Sequence, residues 1–565
     1  MPTEDAASGT ARRTLFRTGA GVGIAALGAT TLVAGATAAH AEEAGEAAAA
    51  AAAPNPAFPK HELRASWIAS TVNIDWPSRP GLDVATQKAE LIRWLDEAVA
   101  YGFNAVMFQI RPTADAFWPS PHEPWSRWLT GAQGTDPGYD PLAYAVDEAH
   151  KRGLEIHGWF NPFRISMKAV SGDVGTDPSK LVDGHPAKDN PDWVVAYPAD
   201  ATGQLYFNPG VPEARQHNVD AICHAAENYD LDGVHFDDYF YPYPVGTQQF
   251  NDDATFAEYG GDFTDKKAWR RHNVDLFVKA ISDRLRENKP NVKFGISPFG
   301  VWRNKADDPV LGSDTAAGAP TYDALSADTR KWVKEEWIDY IVPQVYWADS
   351  LAVASYGKIV RWWDEVCRGT NVQLFIGEAT YKVNASTQSP EWNNDAHELD
   401  RHVVMGRELA DVDGNIYFSA KSVRANELNA MGIIRDTHYQ RPALIPPSDG
   451  RLRRPGTPRI SDSRWREGKL ELRFGCGDEH GGHGGHGGGH GRREASWFAV
   501  WRFDGHRRHV EAGDIADATA LVGRVHADAG KFVDATAVKG KKYTYVVTAY
   551  NGVWTESKIS KARKV

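Results

Sequence analysis

From residue 64 onward, apolar runs of five to seven residues alternate with longer stretches whose apolar positions recur every three or four. That alternation predicts parallel strands inside a jacket of helices. Eight strands are expected, at 64–70, 104–110, 154–160, 233–237, 293–297, 340–346, 372–377 and 415–419, with helices at 86–101, 212–228, 267–288 and 352–367 among them. Eight β/α units over residues 61–441 fit an α/β chain folded as a (β/α)8 TIM barrel with insertions. A doubly wound open sheet fits less well, because no glycine-rich phosphate loop follows the first run.

The pattern changes after residue 441. Residues 442–458 are rich in Pro, Arg and Gly and read as a linker, and residues 459–565 read as a small all-β domain. Within it, 469–474 and 543–550 alternate apolar and polar positions at the strand period. The second run, with Asn551-Gly552 and Glu556-Ser557 after it, resembles the closing strands of a fibronectin type III sandwich. An insertion at 481–491, with His480 beside it, sets His483, His486 and His490 among glycines. Imidazoles can capture metal, but glycine gives them no rigid scaffold, so an adventitious hairpin insertion is the preferred reading and no metal site is assigned.

The amino terminus stands outside this pattern. Arg12-Arg13-Thr14-Leu15-Phe16-Arg17 precedes an uncharged Gly/Ala-rich stretch that ends at Ala39-His40-Ala41. This reads as a twin-arginine-like signal over 1–41, followed by an Ala/Pro spacer at 42–60. Export to the extracellular side or the cell wall is expected, with no stable membrane span once the signal is cleaved. Three cysteines in 565 residues predict no structural disulfide. A formal net charge of -11 argues against a nucleic-acid partner.

Candidate chemistry follows from strand parity. In a barrel of this kind the active site is built at the carboxyl ends of the strands. On the fourth run Val234 and Phe236 share one face while His235 and Asp237 share the other, which aims Asp237 into the mouth. The same test turns inward Gln109 and Arg111 on the second run, and His157, Trp159 and Asn161 on the third. It does the same for Gln344 and Tyr346 on the sixth run and Asn415, Tyr417 and Ser419 on the eighth. Aromatics crowd the following loops: Phe117, Trp118, Trp125, Trp128, Tyr239, Tyr243, Trp302 and Trp347. Flat rings and planar polar groups are the natural lining of a glycan cleft.

Glycosidic cleavage needs a carboxylic acid to protonate the leaving oxygen and a second carboxylate as nucleophile or base. Asp237 is the first candidate. For the second the order is Asp238, Glu378, Asp115 and Asp349, although Glu378 shares parity with Leu374 and Ile376. A catalytically silent glycan-binding protein is the alternative class. A protease or esterase lacks a serine or cysteine at a strand-to-helix elbow beside a base.

Six motifs carry a resemblance over 61–441. They are Glu62 to Trp67, Phe108-Gln109-Ile110-Arg111-Pro112, His157 to Pro162, Asp232 to Tyr239, Pro343-Gln344-Val345-Tyr346-Trp347 and Ile376 to Lys382. Together they resemble the bacterial glycosyl hydrolase family 10-like group. The resemblance implies a barrel hydrolase of the cell envelope without cofactor, with bacterial cell-wall (peptidoglycan) glycan as substrate class. It implies a site including Arg111, Asn161, Asp237, Asp238, Gln344, Tyr381 and Lys382, to which parity and the loop aromatics add Trp159, His235, Tyr346 and Trp347. The fourth-strand motif also resembles that of enzymes acting on N-acetylhexosamine linkages, in which one acidic residue supports the substrate's own acetamido group.

Overall fold

The computed structural model describes residues 55–168, 174–385, 389–448, 450–476 and 495–565. The expected signal, most of the 42–60 spacer and the Gly/His-rich run lie outside the described residues. Among the described residues no helix is long and apolar enough to cross a membrane. Cys223, Cys367 and Cys476 are free thiols.

Eight parallel strands close into a barrel in which each strand pairs with its neighbours in sequence and the last returns to the first. They are β1 Leu63–Ile68, β2 Ala105–Arg111, β3 Glu155–Phe160 and β4 Gly233–Phe236. The other four are β5 Lys293–Ile296, β6 Tyr340–Ile341, β7 Gln373–Glu378 and β8 Val412–Tyr417. Every expected strand is present, but β6 keeps only the start of its 340–346 run. Pro343 has no N–H for the ladder, and Gln344 rejoins through single bridges to Phe299 and Gly377. The jacket includes α1 Val84–Ala100, α2 Pro141–Lys151, α3 Pro212–Asn228, α4 Lys266–Asn288, α5 Tyr356–Cys367 and α6 Glu398–Arg407. Asp83 and Asp140 start α1 and α2 as side-chain caps, each accepting a backbone N–H three residues on.

Alternation along the strands sorts the core into two layers. Val106, Phe108, Ile156, Phe236, Phe294, Ile341 and Leu374 are buried against the helices, whereas Trp67, Met107, Trp159, Tyr340, Phe375 and Ile416 fill the interior. Two glycines make that filling possible. A Cβ at Gly295 would stand 2.0 Å from the Tyr340 ring, and one at Gly233 would stand 2.4 Å from His157.

The interior also carries a chain of hydrogen bonds. The Trp67 indole donates to Nε2 of His235 (3.0 Å), whose Nδ1 meets the Tyr340 hydroxyl (3.1 Å). That hydroxyl meets Nδ1 of His157 (2.8 Å), and His157 Nε2 meets Glu155 (3.0 Å). Because an indole can only donate, each group's role in the chain follows from the first bond. Lys293 closes the chain from below, donating to both oxygens of Glu155 at 2.7 and 2.6 Å.

Below the barrel seven antiparallel strands form two sheets. One has the order β9 Pro458–Arg466, β10 Lys469–Cys476, β13 Lys531–Asp534. The other runs β12 Leu521–His526, β11 Trp497–Asp504, β14 Tyr543–Tyr550, β15 Arg563–Lys564. Strands β11 and β14 bury both faces. Phe498, Val500, Tyr545 and Val547 pack between the sheets, while Trp497, Ala499, Trp501, Val546 and Tyr550 join the apolar cluster that runs into the barrel. Residues 442–458, expected as a linker, are built into this junction at their start. Leu444 and Ile445 are buried, and Leu444 exchanges backbone hydrogen bonds with Lys60 and Glu62.

Trp554 ties the two parts together: its indole donates to Glu155 at 2.5 Å and its ring stacks on Trp497 with centroids 5.8 Å apart. Replacing it by Ala opens a buried cavity and strips a donor from a buried carboxylate. Trp554→Ala is expected to destabilise the fold by about 3 kcal/mol or more, read as a lowered denaturant midpoint at unchanged slope.

Candidate active site

Strand β4 ends at Phe236, so the backbone has left the pleat when it reaches Asp237 and Asp238, and both side chains are buried at the mouth. Asp237 is held by three donors. The Trp159 indole reaches Oδ2 at 3.2 Å, the Asn161 amide donates to the same oxygen, and the Tyr239 backbone N–H reaches Oδ1 at 3.3 Å. The orientation of Asn161 is fixed, because its Oδ1 already accepts from Gln109 Nε2 (2.5 Å) and Arg164 Nη2 (2.9 Å). Only its NH2 is left for Asp237. Gln109 is fixed in turn, its own carbonyl accepting the backbone N–H groups of Ser70 (2.9 Å) and Thr71 (2.8 Å).

These donors would ordinarily keep a carboxylate ionised. Burial outweighs them, and with the adjacent charge of Asp238 it pushes Asp237 up to about 7. Burial also raises Asp238, opposed by hydrogen bonds from the Tyr243 hydroxyl and the Gln344 side chain. Two neighbouring acids in one dry site cannot both carry charge cheaply, so the pair holds a proton near neutral pH. Arg164 is the cation that faces both, and it also lies over the Tyr239 ring, 5.0 Å from its centroid.

Around the pair stands an aromatic wall. Tyr239 meets Tyr243 edge to face, Tyr243 meets Phe299, and Phe299 meets Trp347, with centroids 5.7, 6.2 and 5.2 Å apart. Opposite, Tyr346 and Phe418 meet the half-exposed Tyr381 edge to face at 5.9 and 6.1 Å. Gln344 donates to the carbonyl of Ser297 (2.8 Å), and Lys382 donates to the carbonyl of Tyr346 (2.5 Å). Burial lowers the pKa of Lys382.

Other expected residues lie elsewhere. Arg111 does not face the mouth: the β2–β3 register slips between Gln109 and Arg111, and this bulge turns the guanidinium outward. There it pairs with the buried Glu123, Nε to Oε2 at 2.7 Å, and holds the carbonyls of Asn161 and Pro162 and the amide of Asn218. It thereby positions the turn that carries Asn161. His235 lies inside the barrel beneath the mouth, and burial together with His157 keeps its pKa well below the ordinary value.

Glu378 faces the helices, as its parity warned. It accepts from Tyr356 (2.7 Å), Asn415 (2.8 Å) and His402 (2.8 Å), so its carboxylate is turned away from Asp237 and Asp238. Burial works against charge on His402, yet Glu378 and Glu398 outweigh it and push the ring up to about 9. Asp349 caps the start of α5 by accepting from Ser355 (2.6 Å) and Gly357 (2.7 Å), and Asp115 is sealed beside Thr113 and Ser126.

The parity expected for β8 is reversed. Ile416 faces in and Tyr417 faces out, against Phe103: the apolar face of β8 fills the interior beside Trp67 and Phe375, so taking the apolar face as the outward one inverts the reading. Phe117, Trp118 and Trp128 are packing residues rather than mouth aromatics. Arg164 stands in a loop without periodicity, where the sequence offers it as a salt-bridge partner for Asp237, and it faces both acids. Clefts of about 410 Å3 beside Trp269 and about 920 Å3 beside Trp118 lie on the flank and include neither Asp237 nor Asp238. The mouth is distinguished by its chemistry.

A pH signature follows. Below the unfolded-state pKa both states carry the Asp237 proton. As pH rises to about 7 the unfolded chain releases it while the fold retains it, so stability falls across that window. Asp237→Asn removes this loss. Its thermal midpoint is expected to gain on the parent's between about pH 4 and pH 7 and to hold the gain above; a pH-independent difference would contradict the shift.

Comparison with known proteins identifies the family. The family model described as Glycosyl hydrolase-like 10 matches residues 62–394. Glycosyl hydrolase YngK of Bacillus subtilis (strain 168) is 43% identical over 505 residues, covering 88% of this chain and 92% of that protein. Glycosyl hydrolase DigH of Escherichia coli (strain K12) is 38% identical over 369 residues, covering 63% and 82%. Among solved structures, the PgaB (BpsB) glycoside hydrolase domain from Bordetella bronchiseptica aligns over 67% of this chain and 99% of its own, at 12% identity and a TM-score of 0.41. On the family model and these relatives, the chain belongs to the glycosyl hydrolase-like 10 family and is a glycosidase.

Proposed function

We propose that this chain is an exported glycosidase that cuts bacterial cell-wall glycan at an N-acetylhexosamine linkage, with Asp237 and Asp238 as its working pair. The observation that carries the reading is the Asp237 carboxyl, buried at the barrel mouth beside a second carboxyl, where burial and that neighbour push it up to about 7. Glu378 and Asp349 are hydrogen-bonded away from the mouth and Asp115 is buried beside Thr113, which favours Asp238 as partner.

In this reading Asp237 gives its proton to the leaving glycosidic oxygen as the bond to the anomeric carbon breaks. Asp238 receives the N–H of the sugar's 2-acetamido group and supports the positive charge that grows as the amide oxygen attacks that carbon. Water then opens the cyclic intermediate, with the Asp237 carboxylate taking its proton. Two adjacent acids suit this division, since the nucleophile belongs to the substrate and the second carboxylate only has to orient and stabilise. Asn161, Trp159 and Arg164 fix Asp237; Gln344, Tyr346, Trp347, Tyr381 and Lys382 line the sugar's path. The aromatic wall matches the C–H faces of sugar rings. Export and a wall location rest on the Arg12-Arg13 signal and the spacer after it.

The test is release of reducing ends from peptide-stripped and intact peptidoglycan, with chitin and xylan oligomers alongside. Cleavage of the stripped wall glycan is expected, and proton NMR of the first product should show retained anomeric configuration. Asp237→Asn is expected to lower kcat by about 10²–10⁴ with glycan binding kept. As Asp237 must hold a proton, kcat/KM is expected to fall as pH rises through about 7. Inversion would exclude the substrate-assisted route, and cleavage of xylan alone would exclude the substrate class.

A further inference from the structure

The barrel floor carries a cluster that the glycosidase site does not use. His150 lies in the last turn of α2, Asp230 in the turn between α3 and β4, and His526 at the end of β12 in the lower sheets. Their ligand atoms lie within 4.8 Å of one another, and Asp230 Oδ2 is nearly equidistant from the two rings, 3.9 Å from His150 Nδ1 and 3.8 Å from His526 Nε2. We propose that His150, His526 and Asp230 form a binding site for a zinc-like divalent transition metal, which clamps the β-sheet unit to the floor of the barrel.

Donor chemistry and geometry both favour this. Two imidazoles and a carboxylate are a ligand set suited to zinc and its neighbours, with a fourth position left for water. Donors about 2.0–2.2 Å from a tetrahedral ion stand about 3.4 Å apart, so closing on it moves each donor by under about 1 Å. The two rings are stacked, with centroids 4.0 Å apart and planes at 15°, and they must splay for both lone pairs to meet the ion. Asp230 is the adjustable member, its side chain being 70% exposed on a loop.

An independent feature is the support behind His150. Its Nε2 meets Asp232 Oδ2 at 2.9 Å, and that oxygen also accepts the Ile156 backbone N–H at 2.8 Å. A carboxylate behind one ring nitrogen sets the tautomer and aims the other nitrogen's lone pair outward, which is how metal-binding histidines are usually held. His526 is itself more than nine-tenths buried, and its Nδ1 has no hydrogen-bond partner; the nearest charge, Asp528 Oδ2, stands 3.4 Å away. Trp497 covers both rings edge-on, at 5.5 and 5.0 Å. Because the three donors come from both parts of the chain, an ion there binds only the docked fold and stabilises it by mass action.

The experiment uses the full chain with His480, His483, His486 and His490 replaced by Ser, so that the Gly/His-rich run cannot answer for the site. After chelation, Co2+ is expected to bind at one equivalent with the visible absorption of a four-coordinate ion. Zn2+ should bleach that band and raise the unfolding midpoint by a few degrees. His526→Gln should abolish the band. Asp230→Ala, an exposed change that leaves the chelated protein's midpoint where it was, should weaken binding at least ten-fold. Asp232→Asn, which touches no ion, should weaken it about 10–100-fold. No band and no retained metal in the parent, or a band unchanged in Asp230→Ala, would overturn the proposal.

Discussion

A buried carboxyl group pushed well above the ordinary aspartate range, to about 7, is the constraint around which the mouth is arranged. Asp237 has three donors and a nearby guanidinium, and either alone would favour the charged form. Burial and the adjacent Asp238 win because the low-dielectric surroundings enlarge both the desolvation cost and the like-charge repulsion. For that balance to hold, each donor must sit in one orientation. Asn161 does so only because Gln109 and Arg164 occupy its carbonyl, and Gln109 only because the backbone after β1 occupies its own. The site is thus fixed by β1, β2, β3 and β4 together, which is what closure of the barrel supplies.

Beneath the mouth the interior is unusual in being polar along its axis. Branched apolar residues commonly fill such barrels, whereas here Trp67, His235, Tyr340, His157, Glu155 and Lys293 are joined end to end. A buried network of this kind tolerates no missing partner. Its lower end therefore needs cover, and Trp554 from the last sheets supplies both a donor and an apolar lid. The β unit is accordingly part of the barrel's floor, and the continuous cluster from Trp67 to Trp501 makes the two parts one packed body.

Strand periodicity made most of this legible. Positions that keep strict alternation, such as Trp159 on β3, His235 on β4 and Phe375 on β7, face where parity places them. Alternation fails wherever one residue is inserted, since a single bulge turns every later side chain to the other face. That is why Arg111 was read inward and lies outward. Tyr417 was misplaced for another reason: the apolar face of β8, taken as the outer one, fills the interior with Ile416. The loop positions of Arg164 and Tyr243 follow no period, so their contacts with the two acids became visible only in three dimensions. The two-sided burial of β11 was in principle readable from Trp497-Phe498-Ala499-Val500-Trp501, an unbroken apolar run too continuous for a half-exposed strand.

The most direct measurement is a carbon-13 NMR titration of the aspartate carboxyl groups in the intact chain, with Asp237→Asn and Asp238→Asn for assignment. The pair should titrate in two steps, the upper near pH 7. That upper step should vanish in Asp237→Asn and move down in Asp238→Asn, where the like charge is gone. If both carboxyl groups titrate in the ordinary aspartate range near about pH 4, the mouth holds no proton at neutral pH and the assignment of Asp237 as the acid fails.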